Sequence, residues 1–356
     1  MKKNIYCQAS FIEKLDVRGQ SFFLDFLEEG AILYLDRKLN WDKVILFSDD
    51  LAKLLAGEGG KVRLETGTTY NSFCEEYKRY DGIKPKVFSP LFLIGEGADD
   101  ETDKDVCEKL YNNYGLLGVV PPDFRTVIRQ LSSNNGFDKK QGETGKWDEL
   151  QHSGSSPRFY GNSIVIIDNY SLKNRTENLE RLLDMIIPKS LSIPFYISLF
   201  INDVPFGYTG GDIYNDLLKF LTNIKKTRVK MDIRFNMVKV EDPIKGYTKN
   251  NTPIPKRIFH ARHIISNYFQ ISSDGGFDFF DEQQKAKKLA KVTYRYPYIE
   301  ADSSSVRDME NHLKKAFEVI SNAISSSSAA TNTSRDPKHK YWGKDRNNRL
   351  FKLVTD

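Results

Sequence analysis

The strongest constraint on the fold is an alternation of short apolar runs with amphipathic helical segments between Gly161 and Asn236. The segments of this alternation are Asn162–Asp168, Glu177–Ile187, Ile193–Ile201, Asp212–Ile224 and Val229–Val240. The first and third have the length and composition of buried strands, and the last alternates apolar with polar residues like a half-exposed strand. Pro188 ends the first helix and Asp212 is predicted to cap the second. The order β-α-β-α-β predicts an α/β sheet flanked by helices.

A polar cluster follows this unit. His260 and Arg262 are two residues apart in a segment rich in β-branched and aromatic residues, so on a strand their side chains share one face. A guanidinium such as that of Arg262 binds phosphate oxygens through two parallel hydrogen bonds. Gly275 and Gly276 let the backbone approach an anion closely. These residues predict a phosphate-binding site.

The same cluster resembles, in degraded form, the HxKxxxxDxxxxxxGSxN motif of the phospholipase D superfamily. Over roughly residues 161–323, the chain is also similar to the C-terminal domain of MIT-domain proteins, a degenerate member used for binding. The resemblance implies a phospholipase D-like mixed sheet and, if activity is retained, a metal-independent phosphodiesterase with no cofactor. His260 would be the nucleophile, Arg262 the phosphate clamp, and Ser273 or Asp278 auxiliary groups. Asn267 stands where the family has an acidic residue.

Catalysis in that superfamily requires two such motifs. The other HxK in the chain is His312-Leu-Lys314, but it lies in Ser305–Ile324, where apolar residues recur at helical spacing. Since residues i and i+2 of a helix do not face each other, this second match is interpreted as chance. An active enzyme would therefore be a homodimer. The alternatives are binding of nucleic acid or another phosphodiester polymer without cleavage, and a scaffold with protein partners.

The C-terminal tail combines basic and aromatic residues, which suits a nucleic-acid backbone with stacked bases. The net charge of the chain is +5. The predicted contacts are Lys338, Lys340, Tyr341, Trp342, Lys344, Arg346 and Arg349. The preceding Ser325–Ser334 is of low complexity and is predicted to tether the tail loosely.

A chain of 356 residues is long enough for two domains. We predict a smaller α/β N-terminal domain of unknown role over residues 1–131 and a flexible linker or long loop over 132–161. The phospholipase D-like domain is predicted over 162–324, followed by a low-complexity segment and the basic, aromatic tail over 325–356. The elements predicted in the N-terminal domain are strands at Lys43–Ser48 and Lys86–Ile94 and helices at Gln20–Leu35 and Asp103–Gly115.

Acidic residues of the N-terminal domain invite comparison with metal-dependent PIN-like nucleases. Asp49 and Asp50 follow a predicted strand, and Asp99–Asp105 is acidic. However, PIN domains carry an aspartate in the first strand, where this chain has Gln8. The acidic residues are better explained as helix caps and solvated loops, so no metal site is expected.

The cysteines and the lengths of the apolar segments indicate the cellular compartment in which the protein is expected. The three cysteines show no CxxC spacing, which is typical of reduced intracellular proteins without zinc. No run reaches the ~18 apolar residues of a membrane span. We expect a cytoplasmic protein, with prokaryotic nucleic-acid defence or processing as the setting.

Overall fold

The computed structural model describes residues 3–28, 30–40, 50, 53–54, 60–79, 90–96, 102–132, 135–137, 159–168, 172, 176–202, 204–228, 231–240, 244–247, 253–256, 262–273, 292–295, 303–329, 339–343 and 348–351. Within these residues the chain is a mixed α/β protein with two main sheets flanked by helices. The α/β class predicted from the sequence is confirmed.

The N-terminal sheet is entirely parallel and has the strand order β3-β2-β1-β4-β5. Its strands are β1 (Lys3–Cys7), β2 (Ala31–Leu35), β3 (Val62–Thr66), β4 (Leu91–Leu93) and β5 (Leu117–Val119). The helices of this region are α1 (Ala9–Glu13), α2 (Val17–Glu28), α3 (Tyr70–Lys78), α4 (Asp103–Tyr114) and α5 (Phe124–Ser132), and a 3-10 turn at Pro121–Asp123 leads into α5.

Local signals explain where these elements begin and end. The prediction of one helix over Gln20–Leu35 was wrong: α2 ends at Glu28, Gly30 has a φ of 103°, and the chain continues as β2. A positive φ is readily adopted by glycine and breaks a helix. The helix predicted from Asp103 is confirmed, with a capping box at Thr102 and a left-handed Gly115 after its last turn. The strand predicted at Lys43–Ser48 lies outside the described residues.

The C-terminal sheet is mixed and has the order β15-β9-β8-β7-β12-β13-β14-β6. Its strands are β6 (Asn135–Phe137), β7 (Ser163–Ile167), β8 (Phe195–Ile201), β9 (Ile233–Val240), β12 (Arg262–Ser266), β13 (Gln270–Ser273), β14 (Val292–Arg295) and β15 (His339–Trp342). A separate hairpin consists of β10 (Ile244–Tyr247) and β11 (Pro253–Lys256). The helices are α6 (Glu177–Ile186), α7 (Gly210–Thr227) and α8 (Ser303–Ala329).

The predicted β-α-β-α-β order is confirmed as β7-α6-β8-α7-β9, with the three strands parallel. Strand β12 returns antiparallel on the other side of β7. Alternate side chains divide between two apolar layers. Ile164 and Ile166 belong to the layer of α6 and α7, and Val165 and Ile167 belong to the layer of α8. Burial on both faces explains why β7 is a continuous apolar run.

Short described parts of two segments that were predicted to be loose have regular structure. Strand β6 lies within the predicted linker and pairs with β14. Helix α8 continues to Ala329, into the low-complexity segment, and β15 pairs with β9. Residues His339–Trp342 of the tail therefore form an edge strand of the sheet, hydrogen-bonded to β9.

The two sheets are joined by buried hydrogen bonds. The Tyr268 hydroxyl accepts from the backbone N–H of Leu117 at 3.2 Å and donates to the carbonyl of Pro90 at 2.7 Å. The N–H of Gly161 donates to the carbonyl of Gly115 at 2.7 Å. One continuous apolar core runs through both regions. No helix among the described residues is long and apolar enough to cross a membrane.

Candidate functional site

A row of side chains crosses the C-terminal sheet at the carboxyl ends of its parallel strands. In the register of the sheet, Lys340 lies opposite Lys239, and Lys239 opposite Ile201. Because His263 pairs with Ile167, Arg262 falls opposite Asp168, and it pairs with Ser273 on its other side. We call this set the carboxyl-edge row, and its members are Lys340, Lys239, Ile201, Asp168, Arg262 and Ser273. Directly paired residues point to the same face, here the face of α6 and α7.

The charges of the row are unevenly distributed. Lys239, Lys340 and Arg262 are half-buried cations, whereas the one carboxylate, Asp168, is 1% exposed. Lys239 and Lys340 are direct cross-strand neighbours, an arrangement of like charges that destabilises a sheet. With neighbouring strands ~4.8 Å apart, the four spacings between Lys340 and Arg262 cover about 19 Å. The row therefore offers an extended anion an excess of positive charge.

Asn267 does not belong to this row. It is fully buried, and its side-chain Oδ1 accepts hydrogen bonds from the backbone N–H groups of Asn162 and Ser163, each at 3.0 Å. Arg262 is the first residue of β12 and Asn267 follows its last, so the length of the strand, about 14 Å, lies between them. The geometry gives Asn267 a structural role at the start of β7 and separates it from the phosphate clamp that the sequence predicted.

Several predicted site residues lie outside the described part of the chain, and their roles stay predictions. They are His260, Gly275, Gly276, Asp278, Lys338, Lys344 and Arg346. Of the predicted catalytic set, Arg262 and Ser273 are brought together, as paired residues of β12 and β13. Ser273 is 4% exposed.

The aromatic residues of the tail pack against the protein. Trp342 contacts the first residue of α7 so closely that a Cβ on Gly210 would lie 2.3 Å from the indole ring. Tyr341 packs on the opposite face, in the α8 layer. Arg349 was predicted to contact nucleic acid, but it is 1% exposed and its guanidinium carbon lies 3.6 Å from the centre of the Tyr77 ring. Arg349 is therefore not a nucleic-acid contact, since an interior guanidinium cannot reach a polymer at the surface.

The sequence also failed to predict a polar cluster beneath α8. His263 Nδ1 lies 2.8 Å from the Ser272 hydroxyl and 3.2 Å from Gln270 Nε2, and the same Nε2 donates to Asp308 Oδ2 at 3.2 Å. The rings of His263 and His312 are 4.0 Å apart. Because Gln270 donates through Nε2, we infer that His263 accepts at Nδ1 and carries its proton on Nε2.

The electrostatics of this cluster keep His263 neutral. Burial, followed by the proximity of His312, lowers the pKa of His263 to about 3. His263 is 4% exposed, so the cluster joins β12 and β13 to α8 rather than presenting a nucleophile. One signal was available in the sequence: His312 follows Asp308 by one helical turn, which places both on one face of α8.

The corresponding edge of the N-terminal sheet is closed by its own residues. The strand order reverses between β1 and β4, where sheets of this kind commonly bind ligands. Here the Gln8 side chain accepts from the N–H groups of Gly95 and Glu96, each at 2.8 Å. Asp36 Oδ1 accepts from Ala9 N at 2.8 Å. A Cβ on Gly95 would lie 2.0 Å from the nitrogen of Phe11, so no ligand fits between these backbones.

Over the ranges that the structure describes, no group of three or more His, Cys, Asp or Glu side chains is placed to hold a metal ion. No protein-family model matches the sequence, and a search of curated proteins gives no match.

Proposed function

We propose that the protein binds a phosphodiester polymer, with nucleic acid as the expected ligand, along the carboxyl-edge row and does not cleave it. The observation that carries this proposal is the alignment of Lys340, Lys239 and Arg262 on one face over about 19 Å. A nucleic-acid strand carries one phosphate per ~3.4 Å of helix axis, so the row matches about five nucleotides. An anion that lies between the two half-buried lysines reduces their mutual repulsion and so stabilises the sheet.

The described residues favour binding over cleavage. Asn267 is committed to backbone hydrogen bonds, and His263 is buried and neutral. His312 and Lys314 lie on α8 rather than on a strand. The order β7-α6-β8-α7-β9, with β12 and β13 returning beside β7, supports a degenerate phospholipase D-like unit. A role in prokaryotic nucleic-acid defence or processing, in the cytoplasm, would use such a unit.

Binding is tested by fluorescence anisotropy with single-stranded and duplex DNA and RNA over a range of salt. Lys239→Gln and Lys340→Gln should each weaken binding and reduce the slope of log K against log salt by ~0.9 for duplex and ~0.7 for single strands. The matched control is Lys226→Gln. Lys226 is an exposed lysine near the C-terminal end of α7, and this variant should bind like the wild type. Equal affinity in all three variants would overturn the proposal.

Cleavage is tested by incubating DNA and RNA with the wild type and with His260→Ala in EDTA. If the wild type forms cleavage products in EDTA and His260→Ala does not, the protein is a metal-independent phosphodiesterase and the binding-only proposal is overturned. Light scattering should then show a dimer. Absence of both nucleic-acid and phospholipid binding would favour a scaffold.

A further inference from the structure

The N-terminal region contains a cleft of about 570 Å³ close to the place where the strand order reverses between β1 and β4. Its wall includes Lys14 after α1, Asp16 before α2, Asp103 at the start of α4, Pro121 after β5, and two arginines of α5. The volume lies within the ~300–1,000 Å³ that is typical of small-molecule sites. It far exceeds the space needed by a single inorganic anion.

The two arginines, Arg125 and Arg129, occupy unfavourable positions in the absence of a ligand. They are four residues apart on α5 and therefore share a face, where like charges repel. Arg125 also stands in the first turn of the helix, where the macrodipole disfavours a cation. Neither arginine forms an ion pair with a described residue, and the buried Nε of Arg125 has no hydrogen-bond partner there.

The other charges of the cleft already have partners. Lys14 Nζ lies 3.6 Å from Asp103 Oδ2 and also donates to the carbonyl of Gly95. Asp16 Oδ1 accepts from the N–H of Gly19 at 2.6 Å and so caps α2. Since Lys14 pairs with Asp103, the two arginines and the carboxylate of Asp16 leave the cleft with a net positive charge of one. Arg129 is held in place by the Phe22 ring, whose centre lies 5.5 Å from its guanidinium carbon.

We infer that this cleft binds a small phosphorylated sugar compound. Arg125 and Arg129 would bind the phosphate, for which paired guanidinium donors are well suited. The carboxylates of Asp16 and Asp103 retain lone pairs that accept hydrogen bonds from sugar hydroxyls. Pro121 offers an apolar surface to the remainder of the ligand. This inference is independent of polymer binding at the C-terminal sheet.

The test is isothermal titration of the full chain with ribose 5-phosphate, AMP, inorganic phosphate, adenosine and citrate. Ribose 5-phosphate and AMP should bind, phosphate should bind more weakly, and adenosine should not bind. Tighter binding of AMP than of ribose 5-phosphate would identify a nucleotide as the natural source of the sugar phosphate. Failure of both sugar phosphates to bind, or equal binding of citrate, would overturn the inference.

Variants separate the cleft from the general charge of the protein. Arg125→Gln and Arg129→Gln should each weaken ribose 5-phosphate binding by about tenfold or more, as expected for loss of a charge-assisted hydrogen bond. The matched control, Arg63→Gln, removes the same charge from β3 at the far edge of the sheet and should bind like the wild type. The ligand-free Arg125→Gln protein should melt at or above the wild-type temperature. A lower melting temperature, or unchanged affinity in both cleft variants, would contradict the inference.

Discussion

The two sheets treat the same structural position in opposite ways. At the carboxyl edge of the N-terminal sheet, Gln8 and Asp36 satisfy backbone N–H groups, and Gly95 lets two segments of backbone meet. At the carboxyl edge of the C-terminal sheet, Lys239 and Arg262 share a row that includes one carboxylate, Asp168. The edge at the carboxyl ends of the parallel strands is thus filled by backbone contacts in one region and carries charged side chains in the other. Topology alone does not create a binding site, because the side chains at the edge decide whether a ligand can enter.

The largest effect is expected from breaking the closed edge. Gly95→Ala places a Cβ 2.0 Å from the nitrogen of Phe11, which forces α1 away from β4. We expect a loss of about 4 kcal/mol or more in the free energy of unfolding, measured by urea denaturation. Gly211→Ala is the control in the C-terminal region, since its Cβ would make ordinary contacts at 3.6 Å. Similar stabilities for the two variants would refute the tight closure of the N-terminal edge.

A smaller effect is expected from the C-terminal sheet when Asn267 is changed. Asn267→Ala leaves the buried N–H groups of Asn162 and Ser163 without their acceptor. We expect a loss of about 2 kcal/mol or more in the free energy of unfolding, measured by urea denaturation, because each of the two unsatisfied buried donors costs ~1–3 kcal/mol. Asn223→Ala, at an exposed position of α7, should be nearly neutral. An Asn267→Ala protein as stable as the wild type would refute the structural role of this side chain.

Acid should lower the free energy of unfolding through His263, which belongs to the C-terminal sheet. Its pKa in the folded protein is about 3, against 6.5 for the ordinary side chain. Below pH 6.5 the unfolded chain takes up a proton that the folded chain does not, so stability falls between about pH 6.5 and 3. The loss at pH 5 should be about 2 kcal/mol, at ~1.4 kcal/mol per pH unit. In His263→Gln this component of the difference between pH 7 and pH 5 should disappear; an unchanged difference would show that other groups cause it.

Local sequence signals predicted the centre of the C-terminal sheet well. The apolar runs of β7 and β8 and the periodicity of α6 and α7 specify these elements without reference to the rest of the chain. Even there, the cap was displaced: Thr209 is the N-cap of α7, and the predicted cap, Asp212, is the other half of its capping box.

Pairings between distant segments could not be predicted. Because β12 pairs antiparallel with β7, Arg262 lies opposite Asp168 in the register of the sheet, and His263 lies on the face of α8. The contact between His263 and His312 joins residues far apart in sequence. The basic, aromatic composition of the tail suggested a surface, yet Arg349 is in the interior. Composition reports what a segment could bind, whereas burial depends on which face the sheet leaves open.

The buried contacts that join the two sheets, here called the seam, have an evolutionary consequence. The hydroxyl of Tyr268 serves a strand and a loop of the N-terminal sheet, and Gly115 and Gly161 meet so closely that a Cβ on Gly115 would lie 2.4 Å from the Gly161 carbonyl oxygen. Two regions connected in this way cannot be recombined by gene fusion as independently folding domains can. Either region, placed in a different protein, would expose a surface whose shape fits the other region. The two regions should therefore be inherited together, and a substitution at one glycine should be tolerated only with a change in its neighbour across the seam.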